Sequence, residues 1–205
     1  MHNFKYDYLE NPNCNLNGSI IFNQIFYSLI IVKIIKLYYS SIKKEVNIKL
    51  IILGIDPGLH FSGFGIIKKE DKKIILIEHG FLKLNPKKSI AERLGEFHEY
   101  FDHKIKIFNI TDVSLETPFL HKNAQNFLKL GYLRGILYLL ANNSQLKIHE
   151  FSPREIKNSI TGYGGAGKDQ VARMVIKLFP TLQMPSKFDI TDAIAVTLCG
   201  AWNKK

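Results

Sequence analysis

Four acidic residues stand where a chain places groups that work together. Asp56 closes "LIILGID" (50–56), the most apolar stretch able to form a strand, and Pro57 and Gly58 end that strand at once. Glu116 closes "DVSLE" (112–116), just before the strand-breaking Pro118. Asp189 and Asp192 open the last helical pattern, "DITDAIAVTLCGAW", three residues apart and therefore on one helix face. Each acid alone has a plain explanation. Asp-Pro-Gly is good turn chemistry, and acids at a helix start serve as caps worth about 0.5–2 kcal/mol. Four of them together are harder to explain that way. Close carboxylates repel, and a cluster is stable only with cations between them. Oxygen ligands without His or Cys suit Mg²⁺ or Mn²⁺. Two such ions, about 3.5–4 Å apart, activate a water and stabilise the leaving oxygen of a phosphodiester.

That chemistry requires elements that bring the acids together. Strands are expected at 50–56, 62–68 and 73–84, separated by polar turns, as an antiparallel meander. A helix over 89–108, with Leu94, Phe97 and Phe101 at helical spacing, leads to a strand at 112–116. A long apolar-faced helix over 121–143 leads to a strand at 146–151. Ser152 as N-cap and Pro153 at the first helical position open another helix. After a Gly-rich loop come "KDQVARMVIKLF" and the helix of Asp189 and Asp192. This order predicts an α/β fold: a five-stranded mixed sheet, three antiparallel strands and then two parallel, flanked by helices. If the fourth strand returns beside the first, their carboxyl ends meet, and ligand sites in such sheets lie there.

Composition narrows the partners. A chain of 205 residues with 46% hydrophobic and 22% charged residues is globular rather than disordered. Its formal net charge of +10 favours a nucleic-acid partner when other signals point the same way. Two cysteines, Cys14 and Cys199, offer neither zinc spacing nor a disulfide framework, which indicates a reducing, cytoplasmic compartment. Residues 1–48 differ from the rest. Their apolar run 20–39 is interrupted by Asn23, Gln24, Lys33 and Lys36, and a Lys near the centre of a membrane helix costs on the order of 3 kcal/mol. It lacks the basic leader and small-residue cleavage site of a signal peptide. These 48 residues supply no ligand the acid cluster lacks. They are read as a wrongly assigned start or a dispensable appendage to a nuclease domain at 49–205, with a cover helix and a membrane anchor as alternatives.

"GYGGAGKD" (162–169) nearly matches the phosphate-binding loop G-x-x-x-x-G-K-[ST], but Asp169 replaces the hydroxyl residue that would bind Mg²⁺. The stretch also follows a helical segment instead of a strand. It reads better as a mobile loop flanked by Lys157 and Lys168.

From residue 50 to about 202 the chain resembles the RuvC family of Holliday-junction resolvases, which have the RNase H-like fold. The stretches that carry the resemblance are "ILGIDPG", "GFGII", "LETPFLHKNAQNFLKLGYLRG" and "FDITDAIAVTL". It implies that Asp56, Glu116, Asp189 and Asp192 bind two Mg²⁺ ions, with Mn²⁺ able to substitute. It implies that Lys157 and Lys168 lie near the scissile phosphate, and that Phe119, with Lys122 and Asn123 beside it, enters the junction and stacks on an unpaired base. It further implies a homodimer, paired nicks leaving 5′-phosphate and 3′-hydroxyl ends, and work beside the RuvA and RuvB branch-migration proteins with no membrane partner. "PGLHFSG" departs from the family, where many members carry a small polar and a basic residue after the Gly. Leu59 and His60 therefore put a DNA contact there in doubt. Three other readings compete: an RNase H-like nuclease cutting RNA–DNA hybrids, an actin-like kinase, and a non-catalytic DNA-binding protein. The chain is short for a kinase of that kind, which needs a duplicated core and a second phosphate loop.

Overall fold

A computed structural model describes residues 30–36, 49–118, 124–183, 185 and 187–203. The chain divides into two units, Met1–Asn47 and Ile48–Lys205. In the first, residues 30–36 are helical, and the readings made for the remainder of 1–48 lie outside the described residues. Among the described residues no helix is long and apolar enough to cross a membrane.

The second unit is built on one five-stranded sheet. Its strands are β1 (Lys49–Asp56), β2 (Phe61–Glu70), β3 (Lys73–Lys83), β4 (Asp112–Glu116) and β5 (Lys147–Phe151), in the spatial order β3-β2-β1-β4-β5. The β1–β2 and β2–β3 pairs are antiparallel, whereas β1–β4 and β4–β5 are parallel. This is the mixed sheet expected from the sequence, with β4 beside β1. Asp71 takes a left-handed φ of 52° in the turn between β2 and β3.

The helices are α1 (Ile90–Phe108), α2 (Ala124–Asn143), α3 (Pro153–Thr161), α4 (Lys168–Leu178) and α5 (Phe188–Trp202). Local chemistry starts them. Ser89 and Glu92 form a capping box on α1, and Ser152 and Glu155 form another on α3, where Pro153 opens the helix. Such boxes satisfy two orphan donors reciprocally. Left-handed residues end both helices, Asn109 after α1 and Gly162 after α3.

Strand alternation divides the core in two. Ile51, Leu53 and Ile55 of β1 join Phe97, Phe101 and Ile105 of α1 and Leu133, Leu137 and Leu140 of α2. Ile52 turns to the other face, where it meets Ile194, Ala195 and Leu198 of α5 and residues of α3 and α4. On that second face α5 presses directly onto strand backbone. A Cβ added at Gly54 would lie 2.0 Å from Thr197 Oγ1, and one at Gly63 would lie 2.0 Å from the Asp189 carbonyl oxygen. Glycine is required at both positions because the backbones approach too closely for a side chain.

Candidate active site

Parallel pairing of β1 and β4 runs in register to Ile55 opposite Leu115. The next residue on each strand is an acid, so Asp56 and Glu116 stand side by side at the carboxyl edge of the sheet. Neighbouring strands are about 4.8 Å apart. The α5 helix brings the other two acids. Its N-cap is Lys187, with no side-chain capping bond, so its start is not explained by an acidic cap. Contact of Asp189 with Gly63 holds the helix start against β2, and Gly63 pairs with Asp56 in the β1–β2 register.

A cleft of about 770 Å³ opens here, and its lining includes Asp56, Glu116, Arg134, Lys157, Lys168 and Asp192. Asp189 is not part of that lining, although its charge acts on Asp56. Lys168 Nζ lies 3.2 Å from Asp192 Oδ2. The Gly-rich loop that flanks Lys168 joins α3 to α4, so it lacks the strand-to-helix setting of a phosphate-binding loop. Phe119, Lys122 and Asn123 lie outside the described residues.

The electrostatics record the crowding of acids. Burial, followed by the charges of Asp192, Glu116 and Asp189, pushes the Asp56 carboxyl up from 3.8 to about 7, while Lys168 opposes the shift. Burial and Asp192 raise Glu116, opposed by Lys168, Lys157 and Arg134. Burial also raises Asp192 against the pull of its Lys168 partner. Such shifts mark carboxylates forced together in poorly solvated surroundings. Among the described residues no three acid, His or Cys side chains converge on a single ion position. The donor set nevertheless fits hard divalent cations. Every candidate ligand is a carboxylate, and both burial and mutual repulsion disfavour their charged forms, a cost that added positive charge would relieve.

Two supporting features were not singled out in the sequence. Arg134 on α2 is only 6% exposed. Its guanidinium donates to the Glu116 backbone carbonyl and the Glu150 carboxylate, and at 3.0 Å to the Tyr138 hydroxyl. It thereby fixes the strand tip that carries Glu116. Ser62, fully buried, accepts from the Gly58 N–H at 3.0 Å and donates to the Gly58 carbonyl at 2.8 Å, closing the loop after Asp56. His60, in that loop, is exposed, as a surface residue would be.

Comparison with known proteins places the chain in a family. The family model for crossover junction endodeoxyribonuclease RuvC matches residues 52–200, a span that includes all four acids. The RuvC protein of Pelodictyon phaeoclathratiforme is 40% identical over 150 residues, covering 73% of this chain and 78% of that protein. That of Legionella pneumophila subsp. pneumophila is 39% identical over 149 residues, covering 73% and 85%. Among solved structures, T. thermophilus RuvC in complex with Holliday junction substrate superposes with a TM-score of 0.70 at 25% identity, covering 75% of this chain and 93% of that one. The chain belongs to the RuvC family of crossover junction endodeoxyribonucleases.

Proposed function

We propose that this protein resolves four-way DNA junctions by paired symmetric nicks, in recombination and repair, with Asp56, Glu116, Asp189 and Asp192 as the metal ligands. The observation that carries the assignment is the meeting of these acids at the tips of β1 and β4 and the start of α5, where burial, and then the charges of the other three, lift Asp56 to about 7. Two Mg²⁺ ions, or Mn²⁺ in their place, would be held there, supplying on binding an acidified water and positive charge at the leaving oxygen. The protein's own groups do the rest. Water attacks phosphorus, the P–O3′ bond breaks, and the products are a 3′-hydroxyl and a 5′-phosphate. Lys168, beside Asp192, and Lys157, whose charge reaches Glu116, face negative charge that builds on the phosphate oxygens. Arg134 keeps the Glu116 strand tip in place. Phe119, Lys122 and Asn123 follow Glu116 closely enough in the chain to reach the DNA at the cleft mouth, with Phe119 stacking on a base.

Paired nicks on a two-fold junction call for a two-fold dimer. An outward face of α2 suits that role. Leu128, Tyr132 and Leu139 are exposed at helical spacing, and among the described residues a Cβ at Gly131 or Gly135 would meet nothing within 4 Å. Those glycines therefore do not serve packing of α2 on its own sheet. The same reading places the protein in the cytoplasm, alongside RuvA and RuvB branch-migration proteins.

A nicking assay on a synthetic four-way junction with Mg²⁺, with linear duplex and an RNA–DNA hybrid as controls, tests the proposal. Symmetric cuts confined to the junction support it. Preference for the hybrid, or no cutting of the junction, would overturn it.

A further inference from the structure

One strand beyond Gly63 the sheet carries a feature that the acid cluster does not use. The register sets Asp56 opposite Gly63, and Gly63 opposite Phe81. Directly paired residues in antiparallel strands point to the same face. Phe81 therefore lies on the face that carries Asp56, two strands and about 10 Å away. Alternation puts His79 and Lys83 on that face as well. The intervening Gly80 meets the Phe64 ring, and Glu78 pairs with Lys104 of α1, both on the opposite face. His79, Phe81 and Lys83 are all exposed.

Phe61, at the start of β2, packs edge-on against Phe81 with ring centroids 5.6 Å apart. Lys187 stands over the pair, its Nζ 3.5 Å from the centre of the Phe61 ring and 5.8 Å from that of Phe81. Lys187 is the N-cap of α5 and precedes Asp189 by two residues. Among the described residues no ion pair joins Lys83 or Lys187. Edge strands often carry charges to deter pairing with other chains, which suits Lys83 and His79. That role does not call for an exposed ring with a lysine over it. Basic side chains interleaved with exposed rings are the means by which proteins follow a nucleic-acid strand. Lys157 and Lys168 act on Glu116 and Asp192, toward β4. This strip lies on the other side of Asp56, toward β3.

We propose that Phe61, His79, Phe81, Lys83 and Lys187 form a second contact surface for the DNA strand being cut. Lys83 and Lys187 take its phosphates, and Phe81 packs on a sugar or base. The inference rests on the junction-cutting function proposed above, and it adds a track on the β3 side of the acids.

Binding of a synthetic four-way junction without divalent metal, across a salt series, tests it. Lys187→Gln should weaken binding several-fold and make the logarithmic salt slope shallower by about 0.9. Phe81→Ser should weaken binding by about fivefold or more with an unchanged slope. A photoreactive phenylalanine analogue at position 81 gives a readout independent of variant stability, and it should capture the junction strand. Wild-type affinity and slope in both variants, with no DNA captured, overturn the proposal. Capture of a second protomer or another protein in place of DNA also overturns it. If the wild-type protein nicks junctions while both variants bind normally, this strip alone fails. If the wild-type protein neither binds nor nicks them, the underlying function fails first.

Discussion

Lys168 Nζ lies 3.2 Å from Asp192 Oδ2, an ion pair that ties the first residue of α4 to the opening turns of α5. The lysine side chain is 68% exposed, and its partner 19%. A flexible, accessible cation is thus moored beside the acids, placed to turn toward phosphate oxygens. Lys168→Met should slow nicking by about a hundredfold, the scale set by loss of one preorganised charge at a transition state. Junction affinity should change only a few-fold. Single-turnover rates at saturating enzyme separate the two effects, and an unchanged rate would remove Lys168 from the mechanism.

Asp56→Asn, Glu116→Gln, Asp189→Asn and Asp192→Asn should each abolish cleavage and leave junction binding largely intact. Affinity comes mainly from phosphate contacts, whereas the chemistry needs the metal ligands. Gel-shift and nicking assays on the same preparations check this. Full activity in two or more of the four would defeat the two-metal assignment. Asp189 is the most exposed to failure, since it lies outside the lining of the cleft.

The raised carboxyls predict how the metal-free protein responds to pH. Asp56 titrates near 7 in the folded state against 3.8 ordinarily, and burial is the main cause. Between those values the folded state holds a proton that the unfolded chain has lost. Stability of the metal-free protein should therefore fall as pH rises through that window. Glu116 and Asp192 are shifted the same way and add to the fall. Melting in chelator at pH 5 and pH 8 measures it. Asp56→Asn should lose less stability over this range than the wild type, and Mg²⁺ should raise the wild-type melting temperature more at pH 8 than at pH 5. Parallel behaviour of wild type and variant would count against the assigned shift.

Arg134→Gln should destabilise the fold by about 1–3 kcal/mol, because it removes a charged donor from two carbonyl or carboxylate acceptors in a buried setting. Arg134→Lys keeps the charge but cannot span both acceptors with one planar fork, so it should recover only part of the loss. Urea titrations of both variants provide the measurement.

A chain beginning at Lys49 should fold and cut as the full chain does. Among the described residues, both hydrophobic cores of the sheet unit draw on residues 50–201. Circular dichroism and the nicking assay decide the matter, and a molten or inactive product would assign residues 1–48 a structural role.

The sheet and the four acids were legible because their signals are local. Polar turns separate the strands, Pro57 and Pro118 follow the strand-tip acids closely, and Asp189 and Asp192 share a helix face by spacing alone. Arg134 was not legible in this way. An arginine between Leu133 and Gly135 on an apolar helix reads as solvent-facing, and its burial arises only once α2 packs beside the tip of β4. The Phe81 strip was hidden for a related reason. Alternation says that Phe81 shares a face with His79 and Lys83, but only the registers of two successive strand pairs place it in a row with Asp56.

The bare backbone of Gly54 and Gly63 gives the acid cluster a hard stop. Where side chains separate two layers, a substitution can be absorbed by repacking. Here α5 rests on peptide groups, which have no rotamers to change. A single methyl at position 63 would collide with the carbonyl of Asp189 itself and lever that acid away from Asp56. The tolerance on the spacing of the acids is thus encoded in residues that carry no functional group, by what the strands leave out.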